Sequence, residues 1–491
     1  MKIRISIILL LILILFLSLA RFLYLGSVPG LNGDEALYGI KTSFMMQRPF
    51  TLIGFNPYTG PLVSYLRMPF YYLMGISVVS VRMPMVMLSL LTALYIYMLL
   101  KECYGRRTGI IGVLLFLVMP WSFIYSRFAD ETHISLIFFA IAGLYYLVRD
   151  KGMPDKVLAG LFLGMGVFEH LIFIITPLDY FIFFSTKKSS RSRITKGDLI
   201  LFSIFLLFLL ARVFIIFHAH VFDPQGTGIH YSLNGAVGGD LIHKLLYSFP
   251  HFMKMLDGGI FYQRTTGDIL VRVVPVNSFL FIASFLFLFF RRRNYPEFRR
   301  SDRMFIYIFL LLCIINVIFL MELSLRYHLV TLMFSAILMA IFIGTSRMRD
   351  SLRWFFVALI IAVNCFYIGC NYIHSFRQNG GRVSYFWAGN YVENSNGFVD
   401  SKMLYDFLEE DDIDYVWVPG GSLRWQLIFF DLKNKRLHIK ANVNSIEQDK
   451  VYFITYKGDK LPYEYGLPGG YSVVKEIRGL ENYSIFLFGG W

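Results

Sequence analysis

Apolar residues form long runs along most of the chain, and polar residues concentrate in the segments between these runs. The first run, Ile5 to Leu25, is followed by ten others at residues 83–100, 108–124, 132–148, 157–168, 170–186, 199–217, 277–290, 304–321, 327–346 and 354–371. Runs of this kind are typical of helices that cross a membrane. The pattern predicts a polytopic α-helical membrane protein with about eleven transmembrane helices.

The first run permits a second interpretation, because Lys2 and Arg4 precede it as basic residues precede a secretory signal core. The apolar part of a signal peptide spans only about 7–15 residues, and this run is longer. Arg21 and Phe22 continue the helix where a cleavage site of small residues would stand. We therefore expect the run to stay in place as the first transmembrane helix.

The stretch from residue 157 to residue 186 can be read as one tilted helix or as two short ones. Lys151 and Lys156 precede it, and Lys187-Lys188 follows it. Basic residues favour the cytoplasmic face, so both flanks belong on that face and the chain must cross twice. The turn is then expected at Glu169-His170, a charged pair that would be costly at the membrane centre.

Composition and charge agree with this class and add an orientation. The chain is 56% hydrophobic and only 16% charged, whereas soluble domains carry about 25% charged residues. The formal net charge of +14 arises almost entirely from Lys and Arg in alternate segments between the runs. This placement predicts a multi-pass protein of the cell membrane with a cytoplasmic N-terminus and an extracytoplasmic C-terminus. Because the basic residues mark topology, no nucleic-acid partner is implied.

Three segments are expected on the outer face, at about residues 26–81, 218–276 and 371–491. The last alternates short apolar stretches with turns such as Pro419-Gly420-Gly421, and Ser401–Glu410 has the pattern of an amphipathic helix. It predicts a C-terminal extracytoplasmic α/β domain, residues 371–491, after a transmembrane domain, residues 1–370. No disulfide framework or cysteine metal site is expected from the four cysteines, which are Cys103, Cys313, Cys365 and Cys370.

Two adjacent carboxylates, Asp34 and Glu35, lie in the first outer segment just after the first span. Behind them, Leu37–Met46 and Pro57–Gly75 have helical character without the length to span, which is typical of helices in the membrane interface. Such helices would hold the pair at a fixed depth beside the bundle, where a carboxylate can take a proton or hold a cation. A simpler alternative makes Asp34 a helix N-cap and Glu35 a first-turn acid, and it does not exclude catalysis.

Several short motifs, in a consistent order and on consistent sides of the membrane, resemble those of the GT-C class of membrane glycosyltransferases. The resemblance is closest to the branch that holds the protein O-mannosyltransferases and the aminoarabinose transferases. It covers residues 1 to about 346, and the C-terminal segment matches only in position. The motifs are Gly33-Asp34-Glu35 with Tyr38, Gly60-Pro61-Leu62, Gly75-Ile76-Ser77 with Arg82-Met83-Pro84, Tyr104-Gly105-Arg106-Arg107, Ser126-Arg127-Phe128-Ala129 and Arg326-Tyr327.

The resemblance implies transfer of a single sugar, with inversion, from a polyprenyl (undecaprenyl or dolichyl) phosphate carrier to an acceptor hydroxyl on the outer face. Asp34 is then the general base, because the attacking hydroxyl must lose a proton. The departing phosphate gains charge, so a guanidinium should stabilise it, with Arg326 as the first candidate and Arg127 as the second. The substrate-binding residues that the resemblance implies are Glu35, Tyr38, Arg82, Arg127, Arg326 and Tyr327.

Three questions stay open at the level of sequence. A monophosphate leaving group requires no cofactor, but a divalent cation held by Glu35 with Asp130, Glu131 or His133 is an alternative to ordinary loop polarity. The acceptor can be a glycan, a lipid or a protein. A polytopic transporter or flippase for lipid-linked sugars is the alternative function, although the sequence shows neither the internal repeats nor the midplane charges of that class.

Overall fold

The computed structural model of the protein describes most of the helical part of the chain and the regular elements of its C-terminal part. The described residues are 2–28, 31–47, 59–129, 134–186, 195–222, 241–260, 271–291, 299–315, 328–374, 383–384, 398–399, 401–410, 413–418, 421–432, 434–440, 450–456, 472–477 and 483–489.

The chain begins with helix α1 (Lys2–Leu19), which continues as a 3-10 turn over Ala20–Phe22. Two short helices follow, α2 (Gly33–Gln47) and α3 (Leu62–Met74), and then the long helix α4 (Val78–Tyr104). The short helices correspond to the two interfacial helices that the sequence predicts, with one correction. Helix α2 begins at Gly33 and not at Leu37, so the two carboxylates lie in its first turn and not in a loop.

The turn between α3 and α4 explains one of the sequence motifs. Gly75 ends α3 with φ at 72°, in the left-handed region where glycine carries no steric penalty. Two residues later Ser77 caps α4, since its hydroxyl oxygen accepts the Ser80 amide hydrogen while the Ser80 side chain accepts from the Ser77 amide. The Gly-x-Ser spacing thus ends one helix and starts the next at a fixed angle.

The remaining helices of the bundle follow in close succession. They are α5 (Arg106–Val118), α6 (Pro120–Tyr125), α7 (Ile134–Arg149), α8 (Met153–Glu169), α9 (Ile175–Thr186), α10 (Lys196–Phe222), α11 (Leu241–Leu256), α12 (Val276–Arg291), α13 (Arg299–Ile315), α14 (Leu329–Thr345) and α15 (Asp350–Ile368). Within the described ranges, three helices are long and apolar enough to cross a membrane, and five shorter helices are also apolar. The polytopic membrane class is supported, while the count of eleven spans stays a prediction.

The predicted span at residues 108–124 is divided into α5 and α6 at Pro120. Proline has no amide hydrogen to continue the helix, and it holds the preceding Met119 in an extended conformation. Arg21, in the 3-10 turn that continues α1, donates to carbonyl groups on both sides of the break, at 3.1 Å for the Leu117 oxygen and 2.9 Å for the Ser122 oxygen. This buried guanidinium therefore ties the first helix to the break.

Helix α8 ends at Glu169, where the sequence predicts a turn. A 3-10 turn over Leu171–Ile174 follows and leads into α9. Phe173 folds back onto Gly166 so closely that a Cβ there would lie 2.2 Å from the ring. Before this turn, α8 packs along α7 and α10. Its end therefore presents Glu169 and His170 next to the first outer segment.

The C-terminal part is mixed α/β. It holds helices α16 (Ser401–Glu410) and α17 (Gly421–Asp431) and strands β1 (Val383–Ser384), β2 (Phe398–Val399), β3 (Tyr415–Trp417), β4 (His438–Lys440), β5 (Lys450–Tyr456), β6 (Ser472–Ile477) and β7 (Tyr483–Gly489). Strands β1 and β2 pair with each other, and the other five form one sheet in the order β4-β3-β5-β7-β6. Strand β3 is parallel to β4 and β5, whereas β7 is antiparallel to β5 and β6.

The C-terminal part also has a hydrophobic core of its own, separate from that of the bundle. It includes Leu404, Leu408, Val416 and Leu427. The predicted helix at Ser401–Glu410 has the bounds of α16. The domain boundary at residue 370 and the outer location of this part stay predictions.

Candidate active site

The first turn of α2 is built around a reciprocal pair of hydrogen bonds. Asn32 precedes the helix, and its side-chain oxygen accepts the Glu35 amide hydrogen at 2.8 Å, while a Glu35 carboxylate oxygen accepts the Asn32 amide hydrogen at 3.2 Å. This is a capping box with Asn as its N-cap. The cap is therefore Asn32 and not Asp34. Asp34, half-buried, occupies the first turn, where the helix dipole favours a negative charge.

Glu35 is fully buried and joins α2 to two other parts of the bundle. Arg82 of α4 donates to both of its carboxylate oxygens, from Nε at 2.9 Å and from Nη2 at 2.6 Å. The amide of Ala129, in the loop after α6, donates to the same carboxylate at 2.8 Å. Two predicted substrate-binding residues are thus brought together as an ion pair, and the pair fixes the helix that carries Asp34.

Arg127 is also buried, and it holds the chain between α1 and α2. Its Nε donates to the Val28 carbonyl at 3.0 Å and its Nη1 to the Arg21 carbonyl at 2.9 Å, while Nη2 donates to the carbonyls of Leu23 and Val28. Burial lowers the pKa of this guanidinium. These bonds give Arg127 a structural role, and its predicted role in substrate binding stays a prediction.

One helical turn after Asp34, Tyr38 lies on the same face of α2. Its hydroxyl bonds to the Thr59 hydroxyl at 3.3 Å, and its ring lies 5.3 Å from the guanidinium carbon of Arg67 on α3. Arg67 is fully buried and donates to the backbone carbonyls of Val81 and Ala129. Its Nη1 has no hydrogen-bond partner among the described residues.

Burial lowers the pKa of Arg67, and four neighbours oppose that shift: Tyr71, Tyr38, Glu169 and Glu35. The guanidinium therefore lies between the ion pair of Glu35 and a second buried carboxylate, that of Glu169. This places Arg67 within reach of the face of α2 that carries Asp34 and Tyr38.

Glu169, at the end of α8, fastens the start of α3. Its carboxylate accepts the amide hydrogens of Leu62 at 2.8 Å and Val63 at 3.3 Å, and its carbonyl accepts the Gly60 amide hydrogen at 2.6 Å. A Cβ at Gly60 would lie 2.4 Å from the Phe168 carbonyl oxygen, so only glycine fits there. The Gly60-Pro61-Leu62 motif is explained by this contact.

Arg212 of α10 completes the cluster. It is fully buried, and none of its three guanidinium nitrogens has a hydrogen-bond partner among the described residues. Its guanidinium carbon lies 5.8 Å from the Phe168 ring, and its positive charge interacts with the Glu169 carboxylate. A buried guanidinium without acceptors is costly in a low-dielectric interior.

We call Arg67, Arg212, Tyr38 and Glu169 the arginine cluster. Two guanidinium groups in it carry N–H donors without an acceptor in the described part of the chain. Planar guanidinium donors bind phosphate and carboxylate groups well, because two parallel hydrogen bonds can form. The cluster is therefore suited to hold an anion beside Asp34.

Neither arginine of this cluster is among the site residues that the sequence motifs predict. Arg212 stands alone in the apolar run at residues 199–217, and a lone charge inside a span is a functional signal in its own right. Other candidates lie outside the described residues: Arg326, Tyr327, Asp130, Glu131 and His133. Within the described part of the chain, no group of three or more His, Cys, Asp or Glu side chains could hold a metal ion.

Comparison with known proteins agrees with the sequence resemblance. Residues 57–217 match the family described as dolichyl-phosphate-mannose-protein mannosyltransferase, a range that includes Arg67, Arg82, Arg127 and Arg212. No curated protein sequence matches the chain. The resemblance to the GT-C class is confirmed.

Among solved structures, the fold is similar to that of ArnT from Cupriavidus metallidurans. The structure of that protein bound to undecaprenyl phosphate is 11% identical, with a TM-score of 0.63, and the match covers 98% of each chain. The apo structure is 10% identical with the same TM-score, and the match covers 99% of this chain and 98% of that one. At this identity the likeness shows a shared fold over the whole chain.

Proposed function

We propose that the protein is a glycosyltransferase that moves a single sugar from a polyprenyl phosphate carrier to an acceptor hydroxyl on the outer face of the membrane. In this proposal the chain crosses the membrane eleven times with a cytoplasmic N-terminus, so that α2, α3 and the C-terminal part lie outside. The observation that carries the proposal is the arginine cluster, whose member Tyr38 lies one helical turn after Asp34 on α2.

The cluster suits the leaving group of this reaction. When the bond between the anomeric carbon and the phosphate oxygen breaks, the electron pair stays on the carrier and the phosphate gains a negative charge. Arg67 and Arg212 offer buried N–H donors to that charge, where a low dielectric strengthens the interaction. The undecaprenyl phosphate bound in the similar C. metallidurans structure supports a carrier of this class. Arg326 and Tyr327 stay predictions for the same group.

Asp34 suits the other half of the reaction. The acceptor oxygen forms the new bond to the anomeric carbon, and its proton passes to the Asp34 carboxylate. A single displacement of this kind inverts the anomeric configuration. The support is positional: Asp34 shares a helix face with Tyr38 of the cluster, and Glu35, its neighbour, is anchored to Arg82. The acceptor can be a glycan, a lipid or a protein.

No step of this proposal needs a metal. Both oxygens of Glu35 are engaged by Arg82, Asn32 and Ala129, which leaves that carboxylate poorly placed as an ion ligand. The cation site with Asp130, Glu131 or His133 stays a prediction.

The proposal is tested with full-length protein in lipid nanodiscs and a panel of undecaprenyl and dolichyl phosphate sugars labelled in the sugar. The readout is release of free carrier phosphate together with labelled product. General base catalysis contributes about 100-fold or more, so Asp34→Asn should lower the rate by at least that factor. The matched control is Asp198→Asn, at the predicted cytoplasmic end of α10, where the carboxylate accepts hydrogen bonds from Thr195 and pairs with Lys156.

Two results would contradict the proposal. Wild-type rates in Asp34→Asn would remove the assignment of the base. Movement of an intact lipid-linked sugar across a vesicle membrane, with no sugar transfer from any donor in the panel, would favour the transporter alternative.

A further inference from the structure

The C-terminal part contacts the bundle at the helix that carries Asp34. Helix α17 packs against α2, and the Gln426 side-chain amide donates to the Leu31 carbonyl at 2.6 Å. Gln426 is 2% exposed and Leu31 is 3% exposed, so water cannot compete for this bond. The bonded carbonyl lies just before the capping residue Asn32 and three positions before Asp34.

A second contact of α17 lies two turns further along α2. The ring of Phe429 rests directly on the backbone of Gly39, since a Cβ on Gly39 would lie 2.5 Å from a ring carbon of Phe429. The Gly39 carbonyl accepts the Tyr71 hydroxyl hydrogen at 3.1 Å. Helix α2 is therefore held between α17 on one side and α3 on another.

Helix α17 has one buried face for each core. Leu427 belongs to the separate hydrophobic core of the C-terminal part. Phe429, two residues later, belongs to the core of the bundle. Helix α17 therefore packs into both hydrophobic cores, and its contact with α2 is buried.

Asp34 lies between two anchors. After it, Glu35 is fixed by Arg82 of the bundle. Before it, Leu31 is fixed by Gln426 of the C-terminal part. The capping bonds of Asn32 connect the two anchors, because they require the chain from Leu31 to Glu35 to keep one conformation.

We propose that Gln426 is a positioning residue for Asp34, so that the C-terminal part sets the orientation of the base through α17. This inference rests on the proposed function, in which Asp34 receives the acceptor proton. It also assigns the C-terminal part a role that is independent of acceptor binding. Loss of the Gln426 bond should tilt the first turn of α2, while Arg67 keeps its bond to Val81 of α4 and Arg212 keeps its contacts at the end of α8.

The test compares Gln426→Met with Tyr405→Phe in the full-length protein. Methionine keeps the length of glutamine and removes the donor to Leu31. The control removes a hydroxyl that bonds Asp431, the last residue of α17, at 3.4 Å and Asn434 at 3.1 Å. Two quantities are measured: steady-state kcat and KM for the carrier-linked sugar, and amide hydrogen exchange of the peptide that covers residues 31–38.

A misplacement of about 1 Å costs roughly 100-fold in rate, so a partial tilt should lower kcat by about 10-fold or more. The KM for the carrier-linked sugar should stay within about twofold, because Arg67 and Arg212, the donors to its phosphate, lie outside α2 and are unchanged. Amide exchange at residues 31–38 should be faster in Gln426→Met and unchanged in Tyr405→Phe.

Unchanged exchange at residues 31–38 in Gln426→Met would overturn the inference, and so would an equal loss of kcat in Tyr405→Phe. The exchange measurement needs no turnover. Faster exchange in a protein without transferase activity would therefore support positioning by Gln426 and refute the proposed function alone.

Discussion

The ion pair between Glu35 and Arg82 allows the sharpest prediction about the stability of the site. Arg82→Met leaves the Glu35 carboxylate buried, with the amides of Asn32 and Ala129 as its remaining donors among the described residues. Removing one partner of a buried, hydrogen-bonded pair costs about 3–5 kcal/mol. Glu35→Met leaves Arg82 buried without its carboxylate partner, although its bond to the Leu25 carbonyl at 3.0 Å remains, and should cost a similar amount.

These free energies convert to a change in melting temperature. Unfolding entropy is about 2.1 cal/mol/K per residue, so a chain of this length loses about 1 °C for each kcal/mol. Each single variant should therefore melt about 3–5 °C below the wild type. The double variant should recover most of that loss, because replacing both charges by apolar side chains is often neutral or stabilising by about 1–4 kcal/mol.

The assay is the apparent melting temperature of the wild type, both single variants and the double variant at one scan rate in one lipid. A matched control is Arg107→Met, which breaks the exposed pair with Asp350 and should shift the melting temperature by less than about 1 °C. Additive losses in the double variant would refute the reasoning. They would show that Glu35 and Arg82 contribute independently and that their pairing does not fix α2.

Three further predictions concern single contacts. Arg212→Met should weaken binding of a polyprenyl phosphate by about 10- to 100-fold in a direct binding assay, since a charge-assisted hydrogen bond contributes about 1.5–3 kcal/mol. Arg212→Lys should recover part of the lost affinity. Equal affinity in the wild type and Arg212→Met would contradict the cluster assignment. Gly60→Ala should lower the apparent melting temperature, because the new Cβ would clash with the Phe168 carbonyl oxygen. Gly369→Ala should not lower it, because the Cβ position of Gly369 faces open space. Equal shifts in melting temperature would contradict the steric argument. Asn277→Ala should destabilise the protein by about 1–3 kcal/mol, because it leaves the buried Asn364 amide without its reciprocal partner at 3.0–3.1 Å, and Asn277→Ser should be milder.

The sequence predicted the helices well, because long apolar runs have a strong physical reason to be helical in a membrane. It also predicted the end of α8 at Glu169, where the positive-inside rule was enough. The start of α2 was placed too late, since Gly33 is a poor helix former and the tertiary contacts of Glu35 and Leu31 decide where that helix begins. Such contacts join positions far apart in the chain and leave no local pattern.

The candidate site was predicted in part. Asp34, Glu35, Tyr38 and Arg82 lie within one region, as the motifs implied. The partners of each side chain were not predictable, because hydropathy does not show which way a residue faces. Arg212 illustrates this limit: one charge hardly lowers the hydropathy of its run, yet its burial beside Glu169 gives it its chemical interest.

The donors of the arginine cluster that have no acceptor within the described part of the chain have a consequence for the stability of the protein in a cell. Any ligand that binds only the folded state raises its stability by RT ln(1 + [L]/Kd), which reaches about 2.7 kcal/mol at a hundredfold excess over Kd. A lipid phosphate that supplies acceptors to Arg67 and Arg212 would be such a ligand. Quality-control proteases act on the unfolded fraction, and a stability change of about 1–2 kcal/mol can alter abundance several-fold. The cellular level of this protein should therefore follow the supply of the proposed carrier lipid, and cells depleted of that lipid should degrade the protein faster.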